Sequence, residues 1–244
     1  MEVHAHSHTA RKKWIHYLWE FLMLFLAVFC GFLAEYQLEH IIEQQREKKY
    51  IISFVEDLKI DTASMTIYLQ AKKKKIVSYD SLIHCLSAGN LNQYSQAIYF
   101  YGRQLTRFSN FFSIDRTIKQ LKNSGGLRLI KNQNASDSII AYDMAVERIY
   151  GTQTRQEEEF KDIRTISGKI LHPLVLETMV DGENIIPPTG NPPLRSANKE
   201  LMLDFIYDIH QLKGSDALNM VRMGRLKERA TGIILFLKKE YHLK

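Results

Sequence analysis

From position 21 to position 34 the chain carries fourteen consecutive residues without a charge, FLMLFLAVFCGFLA. As a helix they cover about 21 Å, short of the roughly 30 Å hydrocarbon core of a bilayer. Extending back over residues 14–20 gives about 31 Å and adds Trp14, Tyr17 and Trp19, rings that favour the headgroup level. The pattern predicts one membrane-spanning helix over residues 14–34. A buried soluble helix is also apolar on every face, but a basic flank and marginal rings favour a span. A cleaved leader fits less well, because Phe32 stands where a small residue is wanted before a cut after Ala34. Phe29 is similarly too large for a lipoprotein cut before Cys30.

Beyond the span, residues 35–50 are strongly polar, and EQQREKK (43–49) is polar on every face. Such helices bridge solvent between other elements. No Gly or Pro interrupts residues 32–88, so the helix is expected to leave the membrane unbroken and hold the rest of the chain off the surface. From position 51 the spacing becomes a 4–3 alternation. One seat holds Ile51, Leu58, Met65, Lys72, Tyr79 and Leu86; the other holds Val55, Thr62, Leu69, Ile76 and Ile83. Ile52, Phe54 and Ile60 widen the face beyond a coiled-coil seam, which argues for a bundle helix. The lysine run 72–75 reads as a solvated stretch.

Gly89 and Asn90 end that helix. A helix over 113–123 follows, stopped at Ser124, Gly125 and Gly126, then an apolar connector over 127–132. Helices over 135–150 and 155–171 are kinked or separated at Gly151. All five prolines fall in a long connector, residues 172–196. Ser196 is expected to cap a helix running to about position 212. Gly214 then breaks the chain, and Ser215 or Asp216 caps a last helix to about position 241. The expected fold is all-α: a transmembrane helix continuing into a long helix, then an antiparallel helical bundle. The expected divisions are a polar tail (1–13), the span (14–34), a juxtamembrane helix (35–50) and the bundle (51–244).

Chemistry enters at four places. His4, His6 and His8 alternate in the tail and, if extended, offer three imidazoles to one metal ion. Glu20 is the one carboxylate inside the span, with His16 one turn before it at i,i+4. It is either an interfacial pair or a polar group joining helices. Ala27 and Gly31 have the small-xxx-small spacing that lets two spans approach closely. Residues 100–131 carry seven basic side chains against one acid, Asp115. Among them Arg103, Arg107, Arg116 and Arg128 are the candidates for an anion or a lipid headgroup, against the plain reading of solvated charges around a core of rings.

The net charge of +6 and 45% hydrophobic residues exclude a disordered chain. Two cysteines, Cys30 within the span and Cys85, exclude a disulfide framework. No GxSxG, HExxH, P-loop, GxGxxG or CxxC occurs, so neither an enzyme nor a cofactor is expected. Arg11, Lys12 and Lys13 abut the first side of the span, whereas Arg46, Lys48 and Lys49 come only later on the second, after Glu35, Glu39 and Glu43. This favours a cytoplasmic N-terminus and a periplasmic body, and with it no nucleic-acid partner.

The segments EFLMLFLAVFCGFLAE, EQQREKKYIISFVEDLKIDT and TIKQLKNSGGLRLIKNQ resemble, in that order, a family of small bacterial single-pass membrane proteins of unknown function. The resemblance covers roughly residues 11–150. It implies an inner-membrane anchor with an exported helical domain and brings no activity or catalytic residue. The expectation is a membrane-anchored, non-enzymatic binding or scaffolding module, whose partners are the lipid bilayer and either a second copy or an envelope protein. The alternative is an oligomeric transport or channel accessory working through Glu20.

Overall fold

The computed structural model describes residues 14–107 and 109–243. The histidine triplet His4, His6 and His8 lies outside the described residues. The chain divides into two units between Lys49 and Tyr50.

Helix α1, Trp14–Ser87, is unbroken for 74 residues, as the lack of Gly and Pro predicts. In the first unit it carries one membrane-length stretch of mean hydropathy 2.0, none of it buried. The rings of Phe21, Phe25 and Phe29 stack along one face, with centroids 6.3 and 5.9 Å apart.

In the second unit all six residues of the first heptad seat are buried, Lys72 among them. The second seat is mostly half-buried. Phe54, Asp61, Tyr68 and Leu82, on the opposite flank of the first seat, are buried instead. The shift follows from packing against two partners. These are α4 (Gln133–Ile170) and α6 (Lys199–Glu240), so the apolar face must serve both.

Side-chain pairings set the helix directions. Arg229 reaches the carbonyl of Ala141, Gln156 reaches Asp216 and Ser215 reaches Glu159, so α4 and α6 are antiparallel. Tyr142 meets Asp61, while Lys75 lies over the Phe160 ring, so α1 and α4 run parallel. The all-α bundle is as expected, with α6 antiparallel to both other long helices. Parallel neighbours require the chain to return between them, and α2 (Ser95–Leu105) and α3 (Arg116–Asn123) carry it back.

Several local expectations are revised. Gly151 and Gly214 break nothing, and α4 and α6 run straight through them. A helical Gly costs only about 1 kcal/mol relative to Ala, and packing on both sides outweighs that. The N-cap of α6 is Asn198, whose Oδ1 accepts from the amides of Glu200 and Leu201, at 2.9 and 3.2 Å. Asp216 is no cap; it is fully buried. Helix α3 starts three residues later than expected because α1 and α4 capture the amides before it. Gln153 takes Phe111 at 2.6 Å, Tyr150 takes Ser113 at 2.9 Å and Asp61 takes Ile114 at 2.7 Å. Gly125 does stop α3, in the left-handed region at φ 63°.

The proline-rich connector holds a short helix α5 (Pro173–Glu177) and a two-stranded hairpin, β1 (Val180–Asp181) with β2 (Asn184–Ile185). Three of its carbonyls, those of Pro188, Pro192 and Pro193, accept from side chains of α2 (Gln96, Ser95 and Tyr99). Beyond the hairpin, this segment satisfies its backbone on a neighbouring helix.

The bundle has two apolar cores. One gathers Ile51, Leu58, Ile139, Val146, Leu226 and Ile233 among others; the second gathers Leu82, Ile98, Phe160, Ile170, Phe205 and Leu212. Between them lies a buried polar layer of Lys72, Gln156, Asp216 and Asn219.

A candidate anion-binding groove

The polar layer is built around Asp216. Its Oδ1 accepts from Lys72 Nζ at 2.5 Å and Gln156 Nε2 at 2.8 Å, and its Oδ2 from Tyr79 OH at 2.7 Å. Three donors on α1 and α4 thus satisfy one carboxylate on α6, which offsets the cost of burying charge. Burial, reinforced by the Asp216 charge, holds the Tyr79 phenol well above its ordinary range. The lysine run is accordingly not all solvated: Lys72 is 2% exposed. Lys75 lines a hollow of about 360 Å³ and donates to the carbonyl of Arg107. Burial, with a smaller push from Lys72, lowers its ammonium to about 8.

Two further buried carboxylates on α1, Asp57 and Asp61, reach α3 and the segment before it. Asp57 accepts from Arg116 Nε and Thr117 Oγ1, each at 2.5 Å, and from the Thr117 amide at 3.2 Å. It therefore caps α3 from another helix, while Asp115, in the cap position, bonds Lys119 instead. Asp61 accepts from Tyr142 OH and the Ile114 amide. Burial raises its carboxyl above the usual range, against the pull of those two bonds.

These contacts scatter the sequence candidates. Arg116 is held at Asp57, whereas Arg107 sits beside Lys75 and donates to the Glu183 carbonyl at 2.6 Å. Asp57 and Lys75 are eighteen residues apart on α1, or about 27 Å. Arg103 is half-buried near the end of α2, and Arg128 is exposed in the turn after α3. The four arginines form no common pocket. In the first unit, Glu20 and His16 meet at 3.2 Å, both about half exposed. The face bearing Ala27 and Gly31 is open, and a Cβ at Gly31 would touch nothing within 4 Å.

A cluster of arginines outside the sequence candidates lies elsewhere. An open groove of about 590 Å³ between α4 and α6 is lined by Arg148, Arg155, Arg222, Arg225 and Arg229. Its apolar wall is Ala145, Ile149 and Leu226. The residues repeat every three or four positions on each helix, so antiparallel packing stacks both stripes along one seam. Arg155 and Arg229 each donate to a backbone carbonyl, of Gly151 at 3.3 Å and Ala141 at 3.1 Å. Among the described residues none of the five makes an ion pair. Like charges at i,i+3 and i,i+4, as at Arg222, Arg225 and Arg229, cost about 0.2–0.5 kcal/mol per pair. The groove can therefore stabilise an anion by bidentate guanidinium bonds and relieve that repulsion.

A smaller hollow of about 210 Å³ adjoins it, sharing Thr152, Arg155 and Arg222. Glu159 lines this end; its Oε1 accepts from Ser215 at 2.6 Å and its buried Oε2 has no partner. Among the described residues no group of three or more His, Cys, Asp or Glu side chains is arranged to hold a metal.

Sequence reasoning passed over these five arginines. A signal was present: Arg222, Arg225 and Arg229 flank the stripe Met223, Leu226 and Ala230, which periodicity already places in the core. No protein-family signature, no curated protein and no solved structure matches the chain.

Proposed function

We propose that the chain is a membrane-anchored helical binding module that offers an arginine-lined groove to an anionic ligand on the periplasmic side. The observation that carries this is the groove itself, five arginines with no carboxylate paired to them among the described residues. The bare apolar stretch of α1, with Arg11, Lys12 and Lys13 before it, supports the anchor and its orientation. The groove is lined by arginines, apolar side chains, Gly151 and Thr152, a lining suited to holding an anion.

The test uses the full chain in neutral detergent at low ionic strength. Inorganic phosphate, diphosphate, tripolyphosphate and citrate are added in turn, and the thermal midpoint is followed by circular dichroism. At least one anion should raise the midpoint, and the Arg155→Gln, Arg222→Gln double variant should lose the response. A variant that responds as well as the native chain sinks the groove. The location is tested in intact cells with Ser7→Cys or Thr165→Cys in a Cys30→Ser, Cys85→Ala background. A membrane-impermeant maleimide should label position 165 and spare position 7. The reverse pattern would put the bundle in the cytoplasm.

A further inference from the structure

Resting on that reading, we propose that the ligand is an extended polyanion, with negative groups spread over more than two helical turns, and not a single phosphate or carboxylate. Arg148 to Arg155 on α4 and Arg222 to Arg229 on α6 are each seven residues, about 10 Å of helix. Arg229 bonds the Ala141 carbonyl and Gln156 bonds Asp216, so Arg222 lies near the level of Ile149 and the two stripes are offset along the seam. A lone phosphate is smaller than one turn of about 5.4 Å and meets two or three of the guanidiniums at most. The remainder would keep their mutual repulsion.

A linear chain of linked anionic groups engages both stripes along the whole seam. Bidentate arginine geometry suits phosphate and carboxylate alike. The groove's volume, about 590 Å³, lies in the range of sites for small organic ligands, roughly 300–1,000 Å³. Gly151 keeps the wall low, since a Cβ there would meet nothing within 4 Å. The carboxylate of Glu159 stands at one end, so the run of negative groups stops there and extends toward Arg225 and Arg229.

The experiment compares orthophosphate, diphosphate and tripolyphosphate by isothermal titration on the full chain in neutral detergent. Affinity should rise with length, with tripolyphosphate at least about tenfold tighter than orthophosphate. Gly151→Glu sets a carboxylate on the wall without touching the core and should weaken tripolyphosphate about tenfold or more. Arg148→Gln with Arg229→Gln should lower tripolyphosphate affinity by a larger factor than orthophosphate affinity.

Equal affinity for orthophosphate and tripolyphosphate overturns the extended ligand and leaves the anion-binding reading standing. Tripolyphosphate binding untouched by Gly151→Glu overturns the placement. No binding of any of the three overturns the extended ligand, and no response to citrate as well removes the anion-binding reading. A lipid with two linked headgroup phosphates and a free polyphosphate share this chemistry. Displacement of tripolyphosphate by micelles containing diphosphatidylglycerol assigns the groove to the lipid. Undisplaced binding assigns it to a free polyanion, and either result upholds the extended ligand.

Discussion

Lys75 is the residue whose chemistry departs furthest from what its surroundings in the sequence suggest. It sits in KKKK, a run that reads as solvated, yet its ammonium lies over the Phe160 ring at 4.7 Å and is pushed down to about 8. The native fold thus prefers the neutral amine more than the unfolded chain does. Between about pH 8 and the ordinary lysine value of 10.5, the unfolded chain binds the extra proton, so this residue makes stability rise with pH across that window. Below about pH 8 both states are protonated and the contribution is flat. Competitive acetylation followed by mass spectrometry should show Lys75 titrating near pH 8, below the ordinary lysine value of 10.5. Lys75→Met should flatten the rise in stability between about pH 8 and 10. A Lys75 that titrates at the ordinary lysine value would show that the hollow is wetter than its lining implies. At the same scale, Lys72 occupies an apolar seat of the heptad pattern, and periodicity alone can only mark it as an exception. Its partner lies 144 positions away, beyond any local signal.

At the scale of elements, the Lys72–Asp216 pair joins α1 to α6, with Gln156 drawing in α4. Removing one member leaves the other charged and buried. Lys72→Met should therefore lower stability by about 3–5 kcal/mol. The double variant Lys72→Met, Asp216→Leu should recover most of the loss, as measured by thermal unfolding in detergent. A double variant as unstable as the single one would mean that the pair contributes more than it costs. The long helices and α3 were legible, whereas α2, in the aromatic and basic stretch, was not. The seats from Ile51 to Leu86, the Gly125 stop and the apolar stripe of the last helix all rest on the 3.6-residue period. The errors sit at boundaries and glycines. Gly151 and Gly214 look like breaks in a single chain, but each lies mid-helix with packing to either side, and tertiary contact overrides propensity. The start of α3 is set by Gln153, Tyr150 and Asp61 from other helices, which no window of local sequence contains.

For the whole molecule, the same reasoning explains why the basic stretch 100–131 drew attention and the groove did not. Charge density along the chain is visible in one dimension, whereas the groove exists only once α4 and α6 lie antiparallel. Arg148 and Arg225 are 77 positions apart in sequence and line the same hollow. Meanwhile Arg116 is absorbed by Asp57, so a locally basic segment is electrically quieter than its composition. The polar layer between the two cores carries a further consequence. Apolar burial above it and below it is not continuous, so the bundle has a natural place to come apart in halves. Amide protons of α4 should then exchange in two blocks in mild denaturant, one near Ile139 to Ile149 and one near Phe160 to Ile170. Lys72→Met should make the two blocks diverge further. One long helix would report two unfolding events, and an anion seated in the groove, which runs beside the junction, would act as a splint holding the halves to a single transition.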